Sequence, residues 1–163
     1  MLYAQKNDIV GKDFPTISAT TLSGDQIIFP DNLDKKVNII ILAFEEWAQK
    51  DVDTWAGFIL KQYDVDDEIN YYELPMMSKF YSWLSGWIDG GMKQGIEVAL
   101  HDNVATYYGE RKPYFEYLGI DDLNTCYVFL IDANGKIRFA EEGLLNDKKQ
   151  NELMEKITLL RTK

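Results

Sequence analysis

Val37-Asn38-Ile39-Ile40-Ile41-Leu42-Ala43-Phe44 is the stretch that decides the fold. It is rich in β-branched residues and almost wholly apolar. A strand of that composition has no face to offer water, so it predicts a central strand covered on both sides, usually by helices. Directly after it, Glu45-Glu46-Trp47-Ala48-Gln49-Lys50-Asp51 breaks the pattern. Val52, Trp55, Ala56, Ile59 and Tyr63 then recur at helical spacing and predict a helix over 49–63. Glu45, Glu46, Asp51 and Asp53 cluster near its start, where the helix dipole favours negative charge.

Upstream, Thr20 to Phe29 reads as a hairpin turning at Ser23-Gly24. Downstream, Asp64 to Glu68 is an acidic turn, and Ile69 to Leu74 is a second strand stopped by Pro75. Residues 78–94 predict a helix whose apolar stripe holds Phe80, Trp83, Leu84, Trp87 and Ile88, ended by Gly90-Gly91. Ile96 to Leu100 reads as a third strand, and the tyrosine-rich stretch 103–118 as a helix broken at Pro113. Tyr127 to Ile131 is a fourth strand, Asn134-Gly135 a tight turn, and Lys136 to Ala140 the returning strand. A last helix opens near Asn146-Asp147, with Asp147 and Gln150 at capping-box spacing and Leu153, Ile157 and Leu160 on its buried face. The whole is one α/β domain over 1–163: a mixed central β-sheet flanked by α-helices on both faces, with an N-terminal β-hairpin.

The charge narrows the partners. Lys plus Arg is 17 and Asp plus Glu is 27, a net −10. Such a chain is repelled by phosphate backbones and anionic lipids, so neither nucleic acid nor membrane insertion is expected. Met1-Leu2-Tyr3-Ala4-Gln5-Lys6 has no apolar signal core, and the cytoplasm is the expected compartment. One cysteine, Cys126, excludes an intrachain disulfide and any CxxC motif; one histidine, His101, excludes a multi-histidine metal site. Asp64-Val65-Asp66-Asp67-Glu68 lacks the glycine and spacing of a calcium loop, and Gly90-Gly91 begins no phosphate-binding fingerprint. No metal and no cofactor are expected. His101-Asp102 is not an acid/base pair by adjacency, because neighbours in a strand point opposite ways.

The order of elements and its local signatures resemble the thioredoxin superfamily in its peroxiredoxin and thiol-disulfide branch. The matching segments are Gly11-Lys12-Asp13-Phe14-Pro15, Leu22-Ser23-Gly24, Ile39 to Phe44, and Phe129-Leu130-Ile131-Asp132-Ala133-Asn134-Gly135-Lys136-Ile137. Within it the chain looks closest to the mitochondrial ATP-synthase assembly factor family. That likeness rests on Trp47-Ala48, Val52 and Thr54 at the helix start, and on Tyr127-Val128, Leu130, Asp132, Ile137 and Arg138 in the last hairpin. Ala140 and Gly143 fit as well, whereas Phe139 stands where that family usually has tryptophan.

The resemblance makes an absence informative. Thioredoxin-fold enzymes place a cysteine at the N-terminus of the first crossover helix, where the helix dipole lowers its pKa. The Trp match puts Ala48 and Asp51 in the two cysteine places, and aligning on Phe44 instead puts Gln49 there. The resemblance thus implies a vestigial redox surface made of Trp47, Ala48, Gln49, Asp51, Thr125 and Cys126, with no catalytic residue. Cys126 has two readings, a lone reactive thiol or a small buried apolar residue; free cysteine is often buried and inert, and reactive thiols are rare outside an electropositive setting, which favours the second. Two functions follow. One is a redox-inactive thioredoxin-fold protein that binds a protein partner, as an assembly or chaperone-like factor. The other is a single-cysteine thiol oxidoreductase or peroxidase using Cys126. A homodimer through Phe80, Trp83 and Trp87 is a further interface reading, since Trp and Tyr are enriched at interface hot spots.

Overall fold

The computed structural model of the chain describes residues 8–63, 66–78, 90–91, 94 and 97–163. The stripe of Phe80, Trp83 and Trp87 lies outside the described residues. Seven strands form one sheet: β1 (Ile17–Thr21), β2 (Gln26–Phe29), β3 (Val37–Ala43), β4 (Ile69–Ser78), β5 (Ala105–Gly109), β6 (Tyr127–Asp132) and β7 (Ile137–Glu142). Their order across the sheet is β2-β1-β5-β4-β3-β6-β7. β3 pairs in parallel with β4 and antiparallel with β6, so it sits inside the sheet. Three helices are described: α1 (Gln49–Tyr63), α2 (Lys112–Leu118) and α3 (Asp147–Arg161).

β3 divides the core by its period of two. Ile40 and Leu42 join one cluster, with Phe14, Phe29, Leu74, Met76 and Phe129. Val37, Ile39 and Ile41 join the other, with Val52, Trp55 and Ile59 of α1 and Leu153 and Ile157 of α3. Both faces of β3 are therefore dry, as its unbroken apolar run requires. Trp55 is the largest side chain of the α1 face: it is 0% exposed, meets Phe139 edge-on with centroids 6.3 Å apart, and donates its indole N–H to Gly143 O at 2.8 Å.

Several local expectations are corrected. β4 does not stop at Pro75 but runs on to Ser78. Pro75 pairs with Ala43, the last residue of β3, and Met76 begins the pairing with β5. A proline lacking an N–H is accommodated where one ladder ends and the next begins. Residues 98–103 form a 3-10 helix instead of a strand, with no buried residue and Val98 81% exposed. That short apolar run has no face to bury. The strand lies further on, at Ala105–Gly109, in what the sequence suggested was helix. Pro113 then starts α2 rather than breaking it, standing in the first turn where a missing N–H does no harm. At α3 the capping residue is Asn146, whose side chain accepts from Lys149 N–H at 2.9 Å, and not Asp147. The acidic turn is ion-paired: Asp66 meets Arg161, and Glu68 lies 3.7 Å from Arg161 Nε and 3.5 Å from Lys36.

Trp55 gives the fold its most direct test. Trp55→Ala is expected to lower the unfolding free energy in urea by about 3–5 kcal/mol, the range for deleting a buried tryptophan. A loss below about 1 kcal/mol, typical of surface changes, would contradict its place in the core.

Candidate functional site

The site is the junction between the end of β3 and the start of α1. Phe44 continues the strand into the core, edge-on to Phe115 at 5.0 Å and to Tyr127 at 6.1 Å. The chain then makes one 3-10 turn, Glu46–Ala48, before α1 begins. That turn sends successive side chains in opposite directions. Ala48 is 0% exposed beneath the turn, and Trp47 stands 75% exposed above it. Glu45 and Glu46, the two residues before Trp47, are exposed as well. Arg111, ahead of α2, closes the strand ends: its Nη1 donates to Phe44 O at 3.3 Å and Met76 O at 3.2 Å, and lies 3.9 Å from Glu45.

The inner half of the junction is held by hydrogen bonds. Thr125 Oγ1 donates to Asp51 Oδ2 at 2.7 Å, tying the first turn of α1 to the loop before β6. Thr54 Oγ1 donates to Asp51 O at 2.7 Å and accepts from Leu145 N–H at 3.1 Å. Gly143 O takes the Trp55 indole, and Cys126 Sγ lies 3.7 Å from the same oxygen. Gly143 N–H in turn donates to Cys126 O at 3.0 Å. Gly143 holds a φ of 74°, a left-handed conformation that suits glycine and rarely a β-carbon. Lys149 straps the same loop by donating to Leu144 O at 3.1 Å and to Glu142 O.

Of the six residues of the vestigial surface, Asp51, Thr125 and Cys126 come together and Ala48 packs below the turn. Trp47 and Gln49 face outward. Gln49 turns to the next exposed position of the helix, its Nε2 donating to Asp53 Oδ1 at 2.8 Å. Cys126 is fully buried. Burial pushes its thiol up to about 12, and the nearby Asp51 carboxylate adds to the shift. A thiol in that state carries almost no thiolate at neutral pH and is a poor nucleophile. His101 lies away from this junction, in the 3-10 segment, where its backbone oxygen accepts from Leu22 N–H at 3.2 Å. Among the described residues no group of three His, Cys, Asp or Glu side chains is arranged to hold a metal ion. Sequence reading noted Gly143 only as a fit to the family pattern and missed its role of organising the junction from far along the chain.

Two outcomes are expected here. Alkylation of Cys126 at pH 8 should run on the order of a thousandfold slower in the native chain than in urea, given the difference in thiolate fraction. Equal rates would mean the thiol is exposed. Asp51→Ala and Thr125→Val should each destabilise by about 1–3 kcal/mol. In the double variant those losses should fail to add, as measured by urea unfolding, because both remove one interaction.

The fold has many solved counterparts. The thioredoxin domain of a thiol-disulfide oxidoreductase from Bacteroides vulgatus is 16% identical, with 90% of this chain and 96% of that chain covered and a TM-score of 0.58. Yeast Sco1 is 15% identical over 90% of this chain and 94% of its own, with a TM-score of 0.61. BsSco, of the Sco family of cytochrome c oxidase assembly proteins, is 10% identical over 93% and 95%, with a TM-score of 0.59. At such identities the likeness is one of fold, and that fold is thioredoxin-like. No curated protein sequence matches the chain. The family model described as ATP10 protein matches residues 10–160, nearly the whole length. The chain therefore belongs to the ATP10 protein family, a family of ATP synthase assembly factors built here on the thioredoxin-like fold.

Proposed function

We propose that this chain acts by protein binding and not by thiol chemistry, as an assembly or chaperone-like factor whose contact surface centres on Trp47. The observation that carries the reading is the contrast within one turn. Ala48 and Cys126 are sealed below the surface while Trp47 stands 75% exposed above it. A tryptophan offers a wide apolar face with one donor at its tip, which suits it to anchor a partner. Dithiol exchange needs an attacking thiolate and a resolving thiol, and only one cysteine exists. The one-cysteine oxidoreductase reading is further weakened by the burial of Cys126 and its raised thiol pKa.

The partner is a protein segment of basic or neutral character, because Glu45 and Glu46 precede Trp47 and repel acidic chains. Among the described residues no helix is long and apolar enough to cross a membrane. The cytoplasm remains the compartment suggested by the sequence, and fractionation of the source cell tests it.

The function is tested with three chains: wild type, Trp47→Ala and Cys126→Ser. Immobilised wild type and Cys126→Ser should retain the same partner from source-cell extract, and Trp47→Ala should lose it. Insulin reduction with dithiothreitol should be no faster with wild type than without protein. Retention indifferent to Trp47→Ala, or insulin turnover abolished by Cys126→Ser, would overturn the reading.

A further inference from the structure

The turn that carries Trp47 does not hold itself. Residues Glu46–Ala48 make a single 3-10 turn with no side-chain hydrogen bond at its cap. Its closing bond runs from Ala48 N–H to Glu45 O at 3.1 Å. One such turn fixes several dihedral angles for one hydrogen bond, so it persists only when its ends are fixed from outside. The exposed Trp47 indole takes little support from its neighbours, and its direction is set by the backbone beneath it.

Both ends are fixed from outside. After the turn, Asp51 is fastened to Thr125. Before it, the fastening comes from Arg111, 67 residues on from Phe44. Arg111 Nη1 donates to Phe44 O, where β3 passes into the turn, and to Met76 O in β4. The same nitrogen lies 3.9 Å from the Glu45 carboxylate, and it is the backbone oxygen of Glu45 that closes the turn. One guanidinium thus meets both residues from which the turn starts and ties them to the neighbouring strand.

Arg111 is itself held. Its guanidinium lies over the Phe115 ring, 5.6 Å from the centroid, and Phe44 meets that ring edge-on. Its backbone oxygen accepts from Tyr114 and Phe115 N–H at 3.0 and 3.1 Å, which joins it to the first turn of α2. An arginine suits this place because its planar fork is always charged and keeps its donors in fixed directions.

We propose that Arg111 is the positioning residue of the Trp47 surface, holding residues 44 and 45 so that Trp47 stands outward before a partner arrives. The proposal rests on the reading of Trp47 as the docking surface, and deepens it by assigning what prepares that surface. An anchor side chain that must be ordered on binding lowers affinity, by roughly tenfold for one large side chain. A turn held in advance avoids that loss.

The test compares full-length wild type, Arg111→Met, Arg111→Lys and Lys112→Met by nuclear magnetic resonance. Lys112 is the exposed neighbour, paired with Glu116 at 3.8 Å. Arg111→Met should move the Trp47 indole N–H resonance, identified by its absence in Trp47→Phe. It should also speed hydrogen exchange at Ala48 N–H by about tenfold or more, as expected of a locally opened turn. The Trp55 indole N–H, bonded to Gly143 O in the core, should stay in place. Arg111→Lys, which keeps a charge and donors there, should restore most of the wild-type pattern, and Lys112→Met should change nothing. Immobilised Arg111→Met should hold the wild-type partner about tenfold more weakly. An unmoved Trp47 resonance with unchanged exchange at Ala48 in Arg111→Met would overturn the proposal. So would a Trp55 resonance moving as far as that of Trp47, or equal effects in Lys112→Met. Should Arg111→Met not fold, Arg111→Gln takes its place and the same outcomes decide. Partner retention lost in Trp47→Ala, with Trp47 and Ala48 undisturbed in Arg111→Met, removes the role of Arg111 and keeps the docking surface. Disturbance in Arg111→Met, with retention indifferent to Trp47→Ala, keeps the hold on the turn and removes the docking surface.

Discussion

The structure depends on a strand that cannot meet water on either side. Six of the seven residues of β3 are buried, and its side chains feed both core clusters. Every other element is placed by that need. α1 and α3 cover one face; α2 and the segment around Phe14 pack on the other, to whose core the hairpin strands add Ile17, Ala19, Ile27 and Phe29. Because β3 ends at Ala43 and α1 must return over the sheet at once, the junction between them is short. It carries one buried residue, Ala48, and one that has nowhere to go but outward, Trp47. The candidate site is thus a by-product of burying β3.

What was legible in the sequence, and what was not, follows from the range of the interactions. β3 and α1 could be read because their own side chains carry the period: a continuous apolar run, then a repeat at helical spacing. The region from 98 to 109 misled for the opposite reason. Val98-Ala99-Leu100 is too short to announce a period, and Tyr107 and Tyr108 suit either a strand or a helix until their neighbours are known. Asp51, Thr125 and Cys126 were grouped through family likeness alone, since Asp51 and Thr125 stand 74 residues apart. The Gly143 carbonyl that receives Trp55 lies 88 residues away, and no local pattern links the two.

At the start of α1 the chain has a carboxylate accepting from a threonine hydroxyl. It keeps α1 fastened to the loop before β6, and it does so without dependence on the redox state of the surroundings. The same acid also suppresses ionisation of the one remaining thiol. One residue, Asp51, thus both fastens α1 to the loop before β6 and bears on the electrostatics of Cys126.

The edges of the sheet have a consequence of their own. Among the described strands the outer ones are β2 and β7. β2 is only four residues long and runs into Pro30. β7 is already occupied at its beginning: Gly11 N–H donates to Ile137 O at 2.7 Å, and Ile137 N–H donates to Lys12 O at 2.9 Å. Its far end carries Glu141 and Glu142. Short, charged or covered edges resist the addition of a foreign strand. Backbone ladders, the least selective form of peptide capture, are therefore disfavoured at the described sheet edges. Recognition through side chains, which reads sequence rather than extended shape alone, is the mode this architecture favours.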